Sequence, residues 1–219
     1  FTNGGYCERM YVPDRKYLAP LDGLDPITAA PLACGGLTAY RAVDHGIKAL
    51  APMQRQGRVL LIGVGGLGQY AIRYLRLLTN AKIIALDVAE DKRSRALELG
   101  ADEAIGPDED IAPCDLIIDF IGSDITLATA AGAVARKGMI IVVGLGGGQT
   151  NFGLGKVPPE ARFMTSFWGT RQQMDELLEL ARREPSIMPS VETLPLSDAQ
   201  HAHNRLREGR VAGRIVLVP

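Results

Sequence analysis

Three glycines, Gly63, Gly65 and Gly68, stand at the spacing of a turn that binds phosphate, inside the stretch RVLLIGVGGLGQYAIRYLRLLTNAKIIALD that runs from Arg58 to Asp87. Gly63 allows a tight turn out of the apolar run before it. Gly65 has no Cβ, so peptide N–H groups can approach a pyrophosphate closely. Gly68 lets the following helix pack tightly on a sheet. With Gly66 and Leu67 they form the start of that helix, whose free N–H groups and positive dipole end favour an anion. Asp87 follows Gly68 by nineteen residues, the spacing of an acid that holds a ribose. A carboxylate there accepts both ribose hydroxyls of NAD and repels the 2′-phosphate of NADP, although the nearby Arg93 keeps NADP open. A parallel α/β domain with a glycine-rich turn and no ligand is the plainer alternative.

These residues need particular elements to position them. Residues 59–62 read as a short buried parallel strand. Residues 67–78 read as a helix with Leu67, Ala71, Tyr74, Leu75 and Leu78 on one face. Residues 82–86 read as a second buried strand that ends at Asp87. Further on, a helix over 91–99 capped by Gly100, strands at 103–105 and 115–121, a helix from Ser123 to Arg136 ended by Gly138, and a strand at 139–143 continue the alternation. The glycine-rich turn 144–148, a long loop over 149–159 and a sixth strand over 162–168 follow. Strands that alternate with helices in this way predict a doubly wound parallel sheet of the Rossmann type.

The flanks are less regular. Residues 1–21 read as irregular or β, with Tyr6–Val12 alternating imperfectly. Asp25 and Pro26 signal a helix start. Residues 27–45 read as two short helices broken near Cys34-Gly35-Gly36, with His45 at a helix end, near its dipole. Thr170 and Gln173 suggest a capping box for a helix to Arg183, and Ser197 and Gln200 suggest another for a helix to Glu208. Residues 185–195 read as a proline-bearing linker, and 214–218 as a last strand.

Composition bounds the classes of function. The chain has 219 residues, 47% hydrophobic and 22% charged, with a net charge of −1. These values suit a globular fold and give no reason to expect nucleic acid or an anionic membrane as partner. No apolar run is long enough for a transmembrane helix, and no basic-then-apolar leader opens the sequence. Cys7, Cys34 and Cys114 are far apart and form no CxxC pair, so a cytoplasmic setting is expected. The chain begins at Phe1, mid-pattern, and reads as a piece of a longer one.

Several stretches together resemble the medium-chain dehydrogenase superfamily, and within it the zinc-dependent alcohol dehydrogenases. GGYCERMYVP at the start, APLACGGLTAYRA around Cys34, VLLIGVGGLG, LELGAD, IIVVGL and GRIVLVP occur in the family's order and cover essentially the whole chain. The resemblance implies a coenzyme domain over residues 29–169. It further implies remnants of a β-rich, GroES-like catalytic domain at 1–28 and 170–219, with most of that domain and its remaining zinc ligands missing. It implies hydride transfer between an alcohol and an aldehyde or ketone, with NAD as cofactor and zinc in the complete enzyme. It also implies that this truncated chain is inactive by itself, and that it forms a homo-oligomer through the coenzyme domain with an edge strand near Met164–Trp168.

Residue by residue, the resemblance makes Cys34 a zinc ligand; a small buried cysteine is the plain alternative. Thr38 resembles the threonine beside the nicotinamide ring, or else a helix-face residue bonded to its own backbone. Phe120, Ile121, Val143 and Leu145 match positions that contact adenosine or nicotinamide, and would equally serve as core. Lys92 resembles a lysine near the adenosine ribose, and Arg214 one that reaches the pyrophosphate; each is also an ordinary surface residue. His201 and His203 read as surface residues, and Trp168 as core packing. A non-catalytic nucleotide-binding or self-association module, or a zinc-free NADP-dependent reductase of the same superfamily, remain as rival readings.

Overall fold

The structure, a computed structural model, describes residues 4–51 and 55–219. Its elements in chain order are α1 (Pro26–Ala29), α2 (Gly35–Leu50), β1 (Arg58–Ile62), α3 (Gly66–Leu78), β2 (Lys82–Leu86), α4 (Glu90–Glu98), β3 (Glu103–Ile105), β4 (Cys114–Asp119), α5 (Asp124–Ala133), β5 (Val134–Val142), β6 (Arg162–Thr165), α6 (Arg171–Arg183), β7 (Val191–Pro195), α7 (Ala199–Arg207) and β8 (Arg214–Val218). They divide into two compact units, residues 35–170 and residues 1–34 with 171–219.

The first of these units is an α/β doubly wound fold. Its six strands are all parallel, in the order β3-β2-β1-β4-β5-β6. The order reverses between β1 and β4, and that switch point is where open sheets of this class place ligands. β1, β2 and β4 are apolar because both faces are covered. On one face Leu127, Ala130 and Ala133 of α5 pack with Leu60, Ile62, Leu86, Ile117 and Val142. On the other, α2 lies so close over β4 that a Cβ on Gly46 would stand 2.4 Å from the Leu116 side chain. α3 packs beside it, with Tyr70, Ala71, Ile72, Tyr74 and Leu75 buried. Leu78, expected on that buried face, is exposed.

Carboxylates brace the amino ends of the strands. Asp115 accepts the Arg58 peptide N–H at 2.9 Å and takes the Arg55 guanidinium in a two-point bond at 2.9 and 2.5 Å. Asp102 accepts the Ile83 N–H at 2.7 Å and the Arg76 guanidinium at 2.6 Å.

The second unit holds a parallel pair, β7 and β8, in register from Val191 with Arg214 to Pro195 with Val218. Arg171 donates to the carbonyls of Lys16 at 2.9 Å and Leu18 at 2.7 Å, tying the early chain to α6. Arg205 holds Glu192 at 2.5 and 2.8 Å, tying α7 to β7. Asp25 caps α1 through the Thr28 N–H at 2.9 Å, with Pro26 at the first helical position as its sequence signals.

Several sequence expectations are corrected. Of the two readings for the early chain, irregular or β, residues 4–12 take the irregular one and hold no strand, and the expectation for residues 1–3 lies outside the described residues. The two short helices resolve into α1, a 3-10 turn over Ala30–Ala33 and the long α2. His45 therefore stands inside a helix, not at its end. β4 stops at Asp119 and β6 at Thr165. α5 ends at Ala133 because Val134 pairs with Cys114, and a register shift then carries β5 on to Met139 opposite Leu116. Gly138 lies within that irregular strand instead of ending a helix. Half of the supposed linker is β7. Ser197 lies in a 3-10 turn, Leu196–Asp198, so it does not cap α7. Trp168, expected in the core, is exposed and stacks on Phe167.

Burial acts to raise the Asp102 carboxyl, but the Ile83 N–H and Arg76 outweigh it and hold the group below its ordinary 3.8. A carboxyl lowered by folding stabilises fully above its unfolded value and loses that contribution as pH falls through its folded value. The Asp102–Arg76 pair is partly exposed, so the effect is screened to about 0.5–1 kcal/mol. Asp102→Asn is expected to lower stability by that amount at pH 7, with the gap to the parent closing below about pH 4. Urea unfolding at several pH values checks this; a gap that stays constant into acid contradicts it.

Candidate functional site

The carboxyl ends of β1, β2, β4 and β5 meet around the turn that carries the three glycines. Gly63 takes φ +91°, where glycine is favoured, and its N–H donates to the Leu86 carbonyl at 2.9 Å. α3 starts after Gly65 with no side chain capping it, so its first N–H groups have no internal acceptor. The two other glycines differ in their surroundings. A Cβ on Gly68 would stand 2.0 Å from the Gly63 carbonyl oxygen, whereas one on Gly65 would meet nothing within 4 Å. Gly68 is thus required by the packing of α3 on the turn. Gly65 borders open space at a helix N-terminus, the setting that suits a phosphate. Gly66 and Leu67 complete the first turn of α3.

Asp87 closes β2 beside this turn, 6% exposed. Its Oδ2 accepts the Val64 N–H at 2.8 Å and its Oδ1 the Ala89 N–H at 3.0 Å. A carboxylate offers about four acceptor positions, so about two remain on Asp87 for a ligand. Arg93, on α4, donates to the carbonyls of Asp87 at 2.9 Å and Val88 at 3.0 Å. Its guanidinium therefore supports the backbone after β2 and does not pair with the Asp87 carboxylate. Lys92, its neighbour on α4, is half-buried.

The loops after β4 and β5 form the other flank. Asp119, 0% exposed, accepts the N–H groups of Ile121 at 2.8 Å and Gly122 at 3.0 Å through Oδ1. The Ile121 and Gly122 carbonyls accept Gly146 and Gly148 N–H groups at 2.9 and 2.8 Å. The loops lie backbone on backbone: a Cβ on Gly144 would come within 2.1 Å of the Ile121 carbonyl carbon. Val143 is buried, Phe120 half-buried, and Ile121 and Leu145 are exposed. Ile121 also reaches Gly63, where a Cβ would meet its Cδ1 at 2.8 Å. Thr38 is buried in the first turn of α2, and its neighbour Leu37 packs against Gly169, where a Cβ would stand 2.5 Å from Leu37 Cγ.

The structure therefore gathers Gly63, Gly65, Gly66, Leu67, Gly68, Asp87, Phe120, Ile121, Val143 and Leu145 at the carboxyl end of one sheet. Cys34 and Arg214 belong to the other unit. The Cys34 thiol is exposed, not buried. Among the described residues no three His, Cys, Asp or Glu side chains group in a way that could hold a metal ion. Zinc takes about four ligands, so the residues present do not fit a zinc centre. Buried Cys114 has its thiol pushed up to about 11, chiefly by burial. Sequence reasoning missed Asp119, although a charge set inside the apolar run LIIDFI was its signal.

A family model described as zinc-binding dehydrogenase matches residues 66–183. An NAD-dependent alcohol dehydrogenase of Sulfolobus acidocaldarius is 36% identical over 99% of this chain and 64% of its own length. A D-arabinose 1-dehydrogenase (NADP(+)) of Saccharolobus solfataricus is 30% identical over 100% of this chain and 65% of its own length. The crystal structure of the alcohol dehydrogenase from Aeropyrum pernix superposes with a TM-score of 0.77 at 33% identity, covering 88% of this chain and 58% of that one. The chain thus spans about two thirds of the length of the curated relatives it matches, 64% and 65%. No helix among the described residues is long and apolar enough to cross a membrane.

The contrast between the two glycines is directly testable. Gly68→Ala forces a methyl onto a backbone oxygen and is expected to cost about 1–3 kcal/mol of stability. Gly65→Ala is expected to leave stability within about 1 kcal/mol, since its φ of −74° suits any residue. Chemical denaturation of both variants checks this; equal losses would contradict it.

Proposed function

The chain belongs to the zinc-binding dehydrogenase family, and from that premise we propose that it is the NAD-binding part of an alcohol dehydrogenase. The observation that carries the reading is the pairing of open space at Gly65 with an aspartate, Asp87, that keeps acceptor positions free at the same sheet end. Peptide N–H groups of Gly65, Gly66, Leu67 and Gly68 hold the pyrophosphate, and the dipole of α3 adds to the attraction. Asp87 accepts the two hydroxyls of the adenosine ribose, with Lys92 near that ribose. Phe120, Ile121, Val143 and Leu145 supply apolar contact for the base and the nicotinamide, and exclude water there. Thr38 stands at the nicotinamide end.

NAD, when bound, supplies a carbon that accepts or returns hydride, the exchange partner being a small alcohol or its carbonyl product. In the whole protein this is alcohol oxidation or carbonyl reduction. No step is assigned to zinc, because Cys34 offers one thiolate and the described residues add no companions. The 219-residue polypeptide binds NAD without turning over alcohol. β6, at the open edge of the sheet with Phe163 partly exposed, is the surface proposed for pairing with a second copy.

Calorimetric titration of the chain is expected to show NAD binding and much weaker binding of NADP. Asp87→Ser is expected to weaken NAD by about tenfold or more, since hydrogen bonds to a charged acceptor are lost, and to narrow the gap to NADP. Gly65→Ala is expected to abolish NAD binding while the protein stays folded. A chain that prefers NADP would favour the reductase reading.

Equilibrium dialysis against zinc is expected to leave no stoichiometric, tightly held metal, with Cys34→Ser indistinguishable from the parent. One zinc per chain that Cys34→Ser removes would overturn that expectation.

A further inference from the structure

Asp119 is a fully buried carboxylate, 0% exposed, that the coenzyme contacts do not use. It ends β4, directly across β1 from the glycine turn, with Ile62 as its cross-strand partner. Four peptide N–H groups converge on this one residue. Oδ1 accepts Ile121 at 2.8 Å and Gly122 at 3.0 Å. Its main-chain carbonyl accepts Val143 at 2.8 Å and Gly144 at 3.1 Å. No donor among the described residues reaches Oδ2. An apolar residue would fill this interior at lower cost, because buried polar atoms without partners are unfavourable. What the carboxylate provides is one oxygen, held rigidly by the strand, that two consecutive loop amides share.

The consequences run outward through the loops. With Ile121 and Gly122 pinned, their carbonyls accept Gly146 at 2.9 Å and Gly148 at 2.8 Å. The loop after β5 is thus set by the loop after β4. Ile121 also packs against Gly63, where a Cβ would stand 2.8 Å from its Cδ1. One buried oxygen therefore fixes Ile121 directly, and Leu145 through the β5 loop. Both belong to loops that follow β4 and β5, strands on the side of β1 away from β2 and Asp87. A dinucleotide that lays its adenosine on β2 and its pyrophosphate on β1 must run its other half over β4 and β5.

We propose that Asp119 is a positioning residue for the nicotinamide half of the coenzyme site: it sets the β4 and β5 loops against which that half docks and leaves the adenosine half alone. The inference rests on the NAD reading above. It differs from a general structural role in one respect. Loss of the shared acceptor should weaken ligands that contain the nicotinamide half and spare those that do not.

The test is titration of the 219-residue chain with NAD and with AMP. Asp119→Ala removes the shared acceptor. Asp119→Glu keeps the charge but moves the carboxylate by one methylene, and decides the matter should the alanine variant not fold. Asp119→Asn keeps an oxygen at Oδ1 and is the rescue. In Asp119→Ala and Asp119→Glu, NAD affinity is expected to fall about tenfold, as when a buried amide loses its acceptor, with AMP within about twofold. Asp119→Asn is expected to bind NAD within about threefold of the parent. Equal losses of NAD and AMP, or no loss of NAD in the glutamate variant, would overturn the proposal alone. A parent that binds neither ligand would overturn the coenzyme reading itself, and this inference with it.

Discussion

Where a parallel strand ends, its neighbours' peptide groups lose their ladder partners, and a buried N–H without an acceptor costs about 1–3 kcal/mol. In the sheet unit, aspartates meet this constraint at both ends. Asp115 and Asp102 take the Arg58 and Ile83 N–H groups at the amino ends. Asp87 takes Val64 and Ala89, and Asp119 takes Ile121 and Gly122, at the carboxyl ends. Asp124 adds the Gln149 N–H at 2.6 Å. Charged acceptors make stronger hydrogen bonds than neutral ones, so these loops are held by side chains anchored in or beside strands and, for Asp124, in the first turn of α5. The close stacking of glycine loops depends on this, because backbones packed as near as Gly144 and Ile121 tolerate no slack.

Much of this was legible from residue order alone. The glycine spacing, the apolar runs and Asp87 led to a doubly wound parallel sheet, because period and spacing are local signals. The failures were also physical. Residues 124–136 are rich in alanine and read as helix, but Val134 is drawn into pairing with Cys114, and the register shift leaves Lys137 at φ +64° beside Gly138. Tertiary pairing there overrides propensity. Prolines at 185, 189 and 195 suggested a linker. Yet Pro185 opens a 3-10 turn and Pro195 closes β7, positions where a missing N–H costs little.

The site was less legible than the fold. The separate parts of Gly65, at the phosphate, and Gly68, in helix packing, were visible in their spacing, but not that Gly68 faces a backbone carbonyl while Gly65 faces open space. That distinction needs the position of the Gly63 oxygen. Arg93 sits six residues past Asp87 and suggested a cation for a 2′-phosphate; its turn onto two backbone carbonyls is a matter of three-dimensional direction. Cys34 carried its meaning only through resemblance, and its exposed thiol stands without companion ligands among the described residues.

The aspartates at the two ends of the sheet share a chemistry and differ in what they leave over. Asp115 and Asp102 each bind an arginine as well as a peptide N–H, so charge and acceptor positions are largely consumed. Asp87 is held by peptide groups alone, and the one arginine at hand is committed to carbonyls. Its carboxylate is therefore held in place by peptide N–H groups. A ribose hydroxyl arriving there makes a charge-assisted hydrogen bond of about 1.5–3 kcal/mol. A phosphate oxygen at about 4 Å meets a repulsion near 4 kcal/mol at the effective dielectric of a protein surface. The repulsion exceeds a single hydrogen bond, so on the coenzyme reading proposed above discrimination at Asp87 would rest more on what it refuses than on what it holds. On that reading the hold of Arg93 on the carbonyls of Asp87 and Val88 keeps its guanidinium from pairing with the carboxylate, so these two backbone oxygens would be part of the selectivity.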